Sequence, residues 1–232
     1  MGAAPEVPSV GQRLPSPSSF LMKNQSFRNT LQLAVALGAT ALSAVAAPQP
    51  FDFKDPKGVN NVQFRLDAPL EAINGTATGI SGSITFDPSK PSATQGRIVL
   101  STASMTVGNP VMADHLRSAN WLDVASHPEI SFEARSLGSV RTEGNRTLAD
   151  VTGLLSIKGI QKEVTVPVSL TFLADKLGAR LGDDKVKGDL LVLRAEFVIQ
   201  RSDFGLQPGK MTDKVAETIQ LTLSIAGAAP RA

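Results

Sequence analysis

The chain has 232 residues, with 23 basic and 21 acidic side chains, two histidines and no cysteine. With no disulfide and no thiolate ligand to brace it, the fold rests on an apolar core, which this length is enough to build. The small positive charge belongs to residues 1–47, which carry Arg13, Lys23 and Arg28 against Glu6. The rest is neutral, which removes the usual basis for capturing nucleic acid or an anionic membrane surface.

Lys23 and Arg28 precede an apolar run from Leu31 to Leu42, and Ala44-Val45-Ala46 closes it with small-x-small spacing. That is the layout of a secretory signal, and about twelve apolar residues are too few to cross a bilayer as a helix, so no transmembrane anchor is expected. The reading divides the chain into three parts. Residues 1–21, rich in Pro and Ser, lie upstream of a natural start at Met22; residues 22–47 form the signal peptide, cut after Ala46 or Ala47; residues 48–232 form one exported domain. Lacking a cysteine for acylation, the mature product is expected to be soluble.

From Val59 onward apolar and polar residues alternate with period two, the pattern of half-buried strands. The apolar sets are Val62-Phe64-Leu66, Ile84-Phe86, Ile130-Phe132-Ala134, Val151-Gly153-Leu155-Ile157, Val164 to Phe172, Leu191 to Ile199 and Ile219 to Ile225. A weaker strand at Arg97–Thr102 brings the number to about eight. Asn74-Gly75 suits a tight hairpin, Asp87-Pro88 a strand stop and Glu143-Gly144-Asn145 another reversal, so neighbours pair antiparallel. Such strands bury their apolar faces in a sandwich or a closed barrel. One stretch breaks the pattern. Asn109 can cap and Pro110 can open a short helix whose stripe is Met112, Leu116 and Ala119, placed to close an end of the β structure.

The segments GTATGISGSITFDP (75–88), DHLRSANWLDVASHPEISFEA (114–134), VTGLLSIKGIQKEVTVPV (151–168) and RSDFG (201–205) resemble, in order and spacing, the YceI-like, lipocalin-like proteins that bind polyisoprenoids. The resemblance implies an all-β fold, an eight-stranded antiparallel barrel with a short helix capping one end. It also implies an apolar pore for an isoprenoid tail such as that of a prenyl quinone, and location in a bacterial periplasm. Two segments depart from the family pattern, KDPKGVNNVQF near the first strand and Ala174 to Gly188. Both are expected at the barrel mouth.

The residues expected to face the lipid are Phe64, Leu66, Ile84, Phe86, Ile130, Phe132, Leu155, Ile157, Val166, Val168, Leu170, Phe197, Ile199, Leu221 and Leu223. Such a lining offers few hydrogen bonds, so a sugar or nucleotide would leave polar groups unpaired at about 1–3 kcal/mol each, whereas hydrocarbon loses nothing. An alternating apolar face is first of all a core, and the residues alone leave a filled and a hollow barrel equally open.

Polar candidates at the mouth are Asp114, His115, Arg117, Trp121, Arg201 and Asp203. Arg201 continues the dry parity of its strand, so its charge needs a partner, either Asp114 or Asp203. His115 and His127 alone are too few for a metal site; Asp114 or Asp123 could complete a set, but the twelve-residue separation of the histidines matches no metal motif, and no metal or other cofactor is expected. Ser118, His115 and Asp203 could be drawn as a hydrolytic triad, but no nucleophile elbow, P-loop or dinucleotide fingerprint accompanies them. The first reading is a non-enzymatic carrier of an isoprenoid lipid or quinone. The alternatives are an enzyme acting on a bound lipid with His115 as acid or base, and a ligand-free barrel acting through its surface. Oligomeric state stays open, a dimer included.

Overall fold

The computed structural model describes residues 47–231; the expected signal peptide and upstream extension lie outside them. The strands are β1 (Gln49–Asp52), β2 (Asn61–Asp67), β3 (Ala72–Ala77), β4 (Ile80–Phe86), β5 (Gln95–Ser101), β6 (Thr106–Val107), β7 (Glu129–Glu143), β8 (Arg146–Ile157), β9 (Ile160–Leu173), β10 (Lys187–Gln200) and β11 (Thr218–Arg231). The two α-helices are α1 (Pro110–Arg117) and α2 (Leu177–Leu181).

The wall runs β1–β4–β5–β7–β8–β9–β10–β11 and closes where Asp52 of β1 pairs with Ala228 of β11. Every pairing is antiparallel, and the result is the expected eight-stranded barrel. Farther along, β2 takes the place of β1 beside β11, with Phe64 opposite Leu221. β3 then pairs with β2 and β6 with β3. Three of the eight wall positions are therefore each filled by two shorter strands in succession. Period-two patterning makes this closure favourable: in β8, Thr147, Ala149, Val151, Gly153, Leu155 and Ile157 all turn inward and are buried. Closure leaves no long sheet edge beside them.

Turn readings fare unequally. β4 ends before Asp87-Pro88, and β7 turns into β8 at Gly144, whose φ of +61° suits glycine. Asn74-Gly75, expected as a hairpin, lies inside β3 instead, with Gly75 opposite Phe64. A Cβ on Gly75 would sit 2.0 Å from the Phe64 ring, so the glycine supplies space rather than a turn. The chain reverses at Ala68–Glu71, where the Ala68 N–H donates to the Glu71 carbonyl at 3.0 Å. Helix α1 begins as expected, Asn109 accepting from the Met112 N–H at 3.1 Å with Pro110 leading the first turn. It stops at Arg117, so Ala119 falls beyond it and is exposed, while Ala113 takes the buried position.

One end of the barrel is plugged by phenylalanines. The Phe51 and Phe86 rings each lie 6.3 Å from Phe172, and Phe53 is fully buried. Phe53 rests on Gly227 of β11, where a Cβ would come within 2.6 Å of its ring. The two segments expected at a mouth cover this closed end. Arg180 of α2 lies 3.2 Å from Asp55 and donates to the Asn60 Oδ1 at 3.1 Å. Asn60 in turn donates to the carbonyls of Phe53 and Ala226. Burial pushes the Asp55 carboxyl up. The N–H groups of Asn60, Lys57 and Val59 and the Arg180 charge outweigh it and hold the group below its ordinary value.

Candidate functional site: an apolar cavity along the barrel axis

Above the phenylalanine plug the barrel is hollow. A cavity of about 210 Å³ is lined by Phe64, Leu66, Ile84, Ile130, Phe132, Leu155, Ile157, Val166, Val168, Leu170, Phe197, Ile199, Leu221 and Leu223. Of the expected lining residues Phe86 is absent, because it faces inward below the cavity floor and packs on Phe172. Leu193 and Arg201 both border the cavity. At about 3.3 Å per residue and a strand tilt of roughly 40°, that stretch of β10 and its end spans about 20 Å of axis.

Several lining residues lie outside the alternating strands. Met105, Leu116, Trp121, Leu122 and Leu206 close the end under α1, and Thr94, just before β5, borders the cavity low on one side, next to Gln95 at the first position of β5 and Leu137 in the irregular part of β7. No period-two pattern can assign an inward face in such irregular segments. The one available signal was the apolar Trp121-Leu122 pair directly after a short capped helix.

The α1 end is held by Arg201, whose side chain is 0% exposed. It sits in the 3₁₀ turn Arg201–Phe204 and projects into the loop that returns through residues 206–217. Its Nη1 donates to the carbonyls of Leu206, at 2.7 Å, and Gln207. Nη2 donates to Lys210, and Nε to Ala216 at 3.2 Å. The guanidinium carbon lies 5.8 Å from the centre of the Trp121 ring, within cation–π range. Its acidic partner is Glu217, Nε to Oε2 at 3.4 Å, which replaces the expected Asp114 or Asp203. The reason is direction: Asp203 and Asp114 are exposed, while the guanidinium turns inward. Hydrogen bonding from the Ser202 side chain, then the Ser202 N–H and the Arg201 charge, outweigh partial burial and hold the Glu217 carboxyl below its ordinary value.

The six expected mouth residues therefore separate. Trp121 and Arg201 border the cavity, whereas Asp114, His115, Arg117 and Asp203 do not. Asp114 pairs at 3.9 Å with Arg117, which donates to the Met105 carbonyl at 3.1 Å and so ties α1 to the wall. His115 is exposed, and the Ser118 hydroxyl donates to its main-chain carbonyl at 2.7 Å rather than to its ring. Among the described residues no three His, Asp or Glu side chains come together to hold a metal. No helix among them is long and apolar enough to cross a membrane.

This geometry can be set beside known proteins. The model of the YceI-like domain matches residues 55–226. A UPF0312 protein of Azotobacter vinelandii is 30% identical over 196 residues, covering 84% of this chain and 95% of that protein. A UPF0312 protein of Pseudomonas putida strain W619 is 31% identical over 197 residues, covering 84% and 94%. The crystal structure of Burkholderia cenocepacia BcnA superposes with a TM-score of 0.59 at 23% identity, covering 72% of this chain and 95% of that one. The structure of a polyisoprenoid binding domain from Saccharophagus degradans superposes with a TM-score of 0.56 at 12% identity, covering 79% and 100%. At those identities the solved structures speak for the fold, and the family match over most of the chain speaks for kinship. The chain belongs to the YceI-like family.

Proposed function

We propose that this protein is a carrier that binds the hydrocarbon tail of a polyisoprenoid, such as a polyprenol or prenyl quinone, inside its barrel and performs no chemistry on it. The observation that carries this reading is a closed barrel left hollow over about 20 Å and lined by aliphatic and aromatic side chains. A main chain of four bonds per isoprene unit advances about 4.5 Å by the reach of an extended polypeptide, so the cavity suits about four units. Each buried unit returns on the order of 3–4 kcal/mol gross, and several are needed to offset an association cost of roughly 4–15 kcal/mol. The structural relative described as a polyisoprenoid binding domain supports the same ligand class.

An acid–base role for His115 finds no support in its position, exposed and away from the cavity. The run from Met22 to Ala47 further motivates action outside the cytoplasm, in a periplasm; N-terminal sequencing of protein recovered from that compartment, starting at Ala47 or Pro48, is the corresponding test. The binding claim is tested through Trp121, the sole tryptophan, which borders the cavity. Titration with a four-unit prenyl quinone is expected to change its emission saturably, at one equivalent per chain. No change, and no retained lipid by mass spectrometry, would favour a filled barrel that acts through its outer surface.

A further inference from the structure

Resting on the carrier reading, we infer that the ligand passes tail-first through a lateral slot between the start of β5 and the middle of β7. Its polar headgroup then stays at Thr94 and Gln95, remote from the α1 cap. Exposure around the cavity points there. At the axial ends the boundaries are made mostly of buried side chains: Arg201, Phe204, Leu122 and Leu206 at one, with half-buried Leu116 and Trp121 beside them, and Phe51, Phe53 and Phe86 at the other. Among the described residues that line the cavity, Gln95 is the one that is exposed, with Thr94 and Leu137 half-buried beside it.

Main-chain pairing ends at this place, where the turn before β5 lies against β7 without strand hydrogen bonds, for reasons on both edges. β5 and β7 pair from Ser101 opposite Glu129 to Arg97 opposite Glu133, and there the pairing stops. β7 continues to Glu143 with β8 on its other side. The chain leading into β5 contains Pro88 and Pro91, which have no N–H to offer, and forms a 3₁₀ turn at Pro91–Ala93 in place of a strand. β7 answers with irregularities between Ala134 and Ser136 and between Gly138 and Arg141, and with Ser139 at φ +51°. Such bulges re-aim a strand and end its pairing.

The polar groups of the cavity assign the ligand's two ends. Of the five guanidinium N–H groups of Arg201, four are engaged by main-chain carbonyls, so the α1 end has little left for a headgroup. Around it stand Leu116, Leu122, Leu206, Ile157 and Ile199, a surface for the tail tip. At the slot the Gln95 amide can donate to a neutral oxygen, a quinone carbonyl or a prenol hydroxyl, while the Thr94 hydroxyl, which itself donates to the Pro91 carbonyl at 2.6 Å, offers only its lone pairs, as acceptor for a prenol hydroxyl.

The chain has no cysteine, so Gln95→Cys and Asn120→Cys each create a unique thiol, one at the slot and one on the exposed surface beside Trp121. The experiment measures the rate of maleimide labelling with and without a saturating four-unit prenyl quinone. The expected result is labelling slowed at least tenfold at position 95 and unchanged at position 120. A further variant, Leu137→Trp, narrows the slot and should slow association and dissociation, each by at least tenfold, whatever the change in Kd. Protection at 120 and not at 95, or unaltered exchange rates in Leu137→Trp, would overturn the slot while leaving the carrier reading intact. Failure of the parent protein to bind the quinone at all would overturn both.

Discussion

Replacing Arg201 with methionine isolates what the buried guanidinium does. The change removes the donors to four carbonyls, of which Gln207 and Lys210 stand in exposed or half-exposed loop and can turn to water. Leu206 is buried and Ala216 half-buried. Leaving two such acceptors unsatisfied costs about 1–3 kcal/mol each. Glu217, with a third of its side chain exposed, recovers hydration and adds little. The net expectation is a loss of about 3 kcal/mol, which for a domain of this size lowers Tm by roughly 6–12 °C. Circular dichroism melts at neutral pH measure it. Affinity for a prenyl quinone, measured well below both melting temperatures, should stay within threefold of the parent value, because the guanidinium fastens the loop and does not hold the ligand. A Tm within 2 °C of the parent would refute the cage as a fastening. Unchanged Tm with lost affinity would return Arg201 to the role of a headgroup contact.

Ala195→Phe projects a ring into the cavity from the middle of β10, filling existing space; affinity for the quinone should fall at least tenfold by Trp121 fluorescence while Tm moves by no more than a few degrees. Gly75→Ala forces the Phe64 ring to move and should cost about 1–3 kcal/mol in urea denaturation, largely restored by adding Phe64→Leu. The lowered pKa of Glu217 makes its ionised form a source of native stability at pH above the ordinary carboxylate value of about 4.3. That stability is lost as pH falls toward and through the lowered native value, so Glu217→Gln should flatten the acid side of the Tm–pH profile. His115→Ala should leave affinity unchanged, since the ring lies outside the cavity.

The barrel was legible because its wall obeys a single rule. Where one face is dry, period two fixes each side chain's direction, and Phe64, Phe132, Leu155 and Leu221 could be assigned inward from spacing alone. Parity also carried Arg201 inward past the end of β10, correctly. Its partner was not legible, because Glu217 arrives through a loop whose path no local pattern encodes. Gly75 was misread for a related reason: a glycine that makes room for a ring on the neighbouring strand looks, in one dimension, like a glycine that makes a turn. Phe86 and Phe172 share the inward parity of the lining, and whether such a ring borders a cavity or plugs an end depends on height along the axis, which parity does not record. The slot was invisible for the same reason, since it depends on where β5 starts relative to a bulge in β7.

The central claim is that the tube encloses hydrocarbon. Native mass spectrometry of protein recovered from cells, before and after extraction with organic solvent, tests it most directly. The account predicts a mass increment that the solvent removes, with an isoprenoid in the extract, and its loss in Ala195→Phe. Protein that carries no lipid from the cell and takes up none when offered prenyl quinones would contradict it.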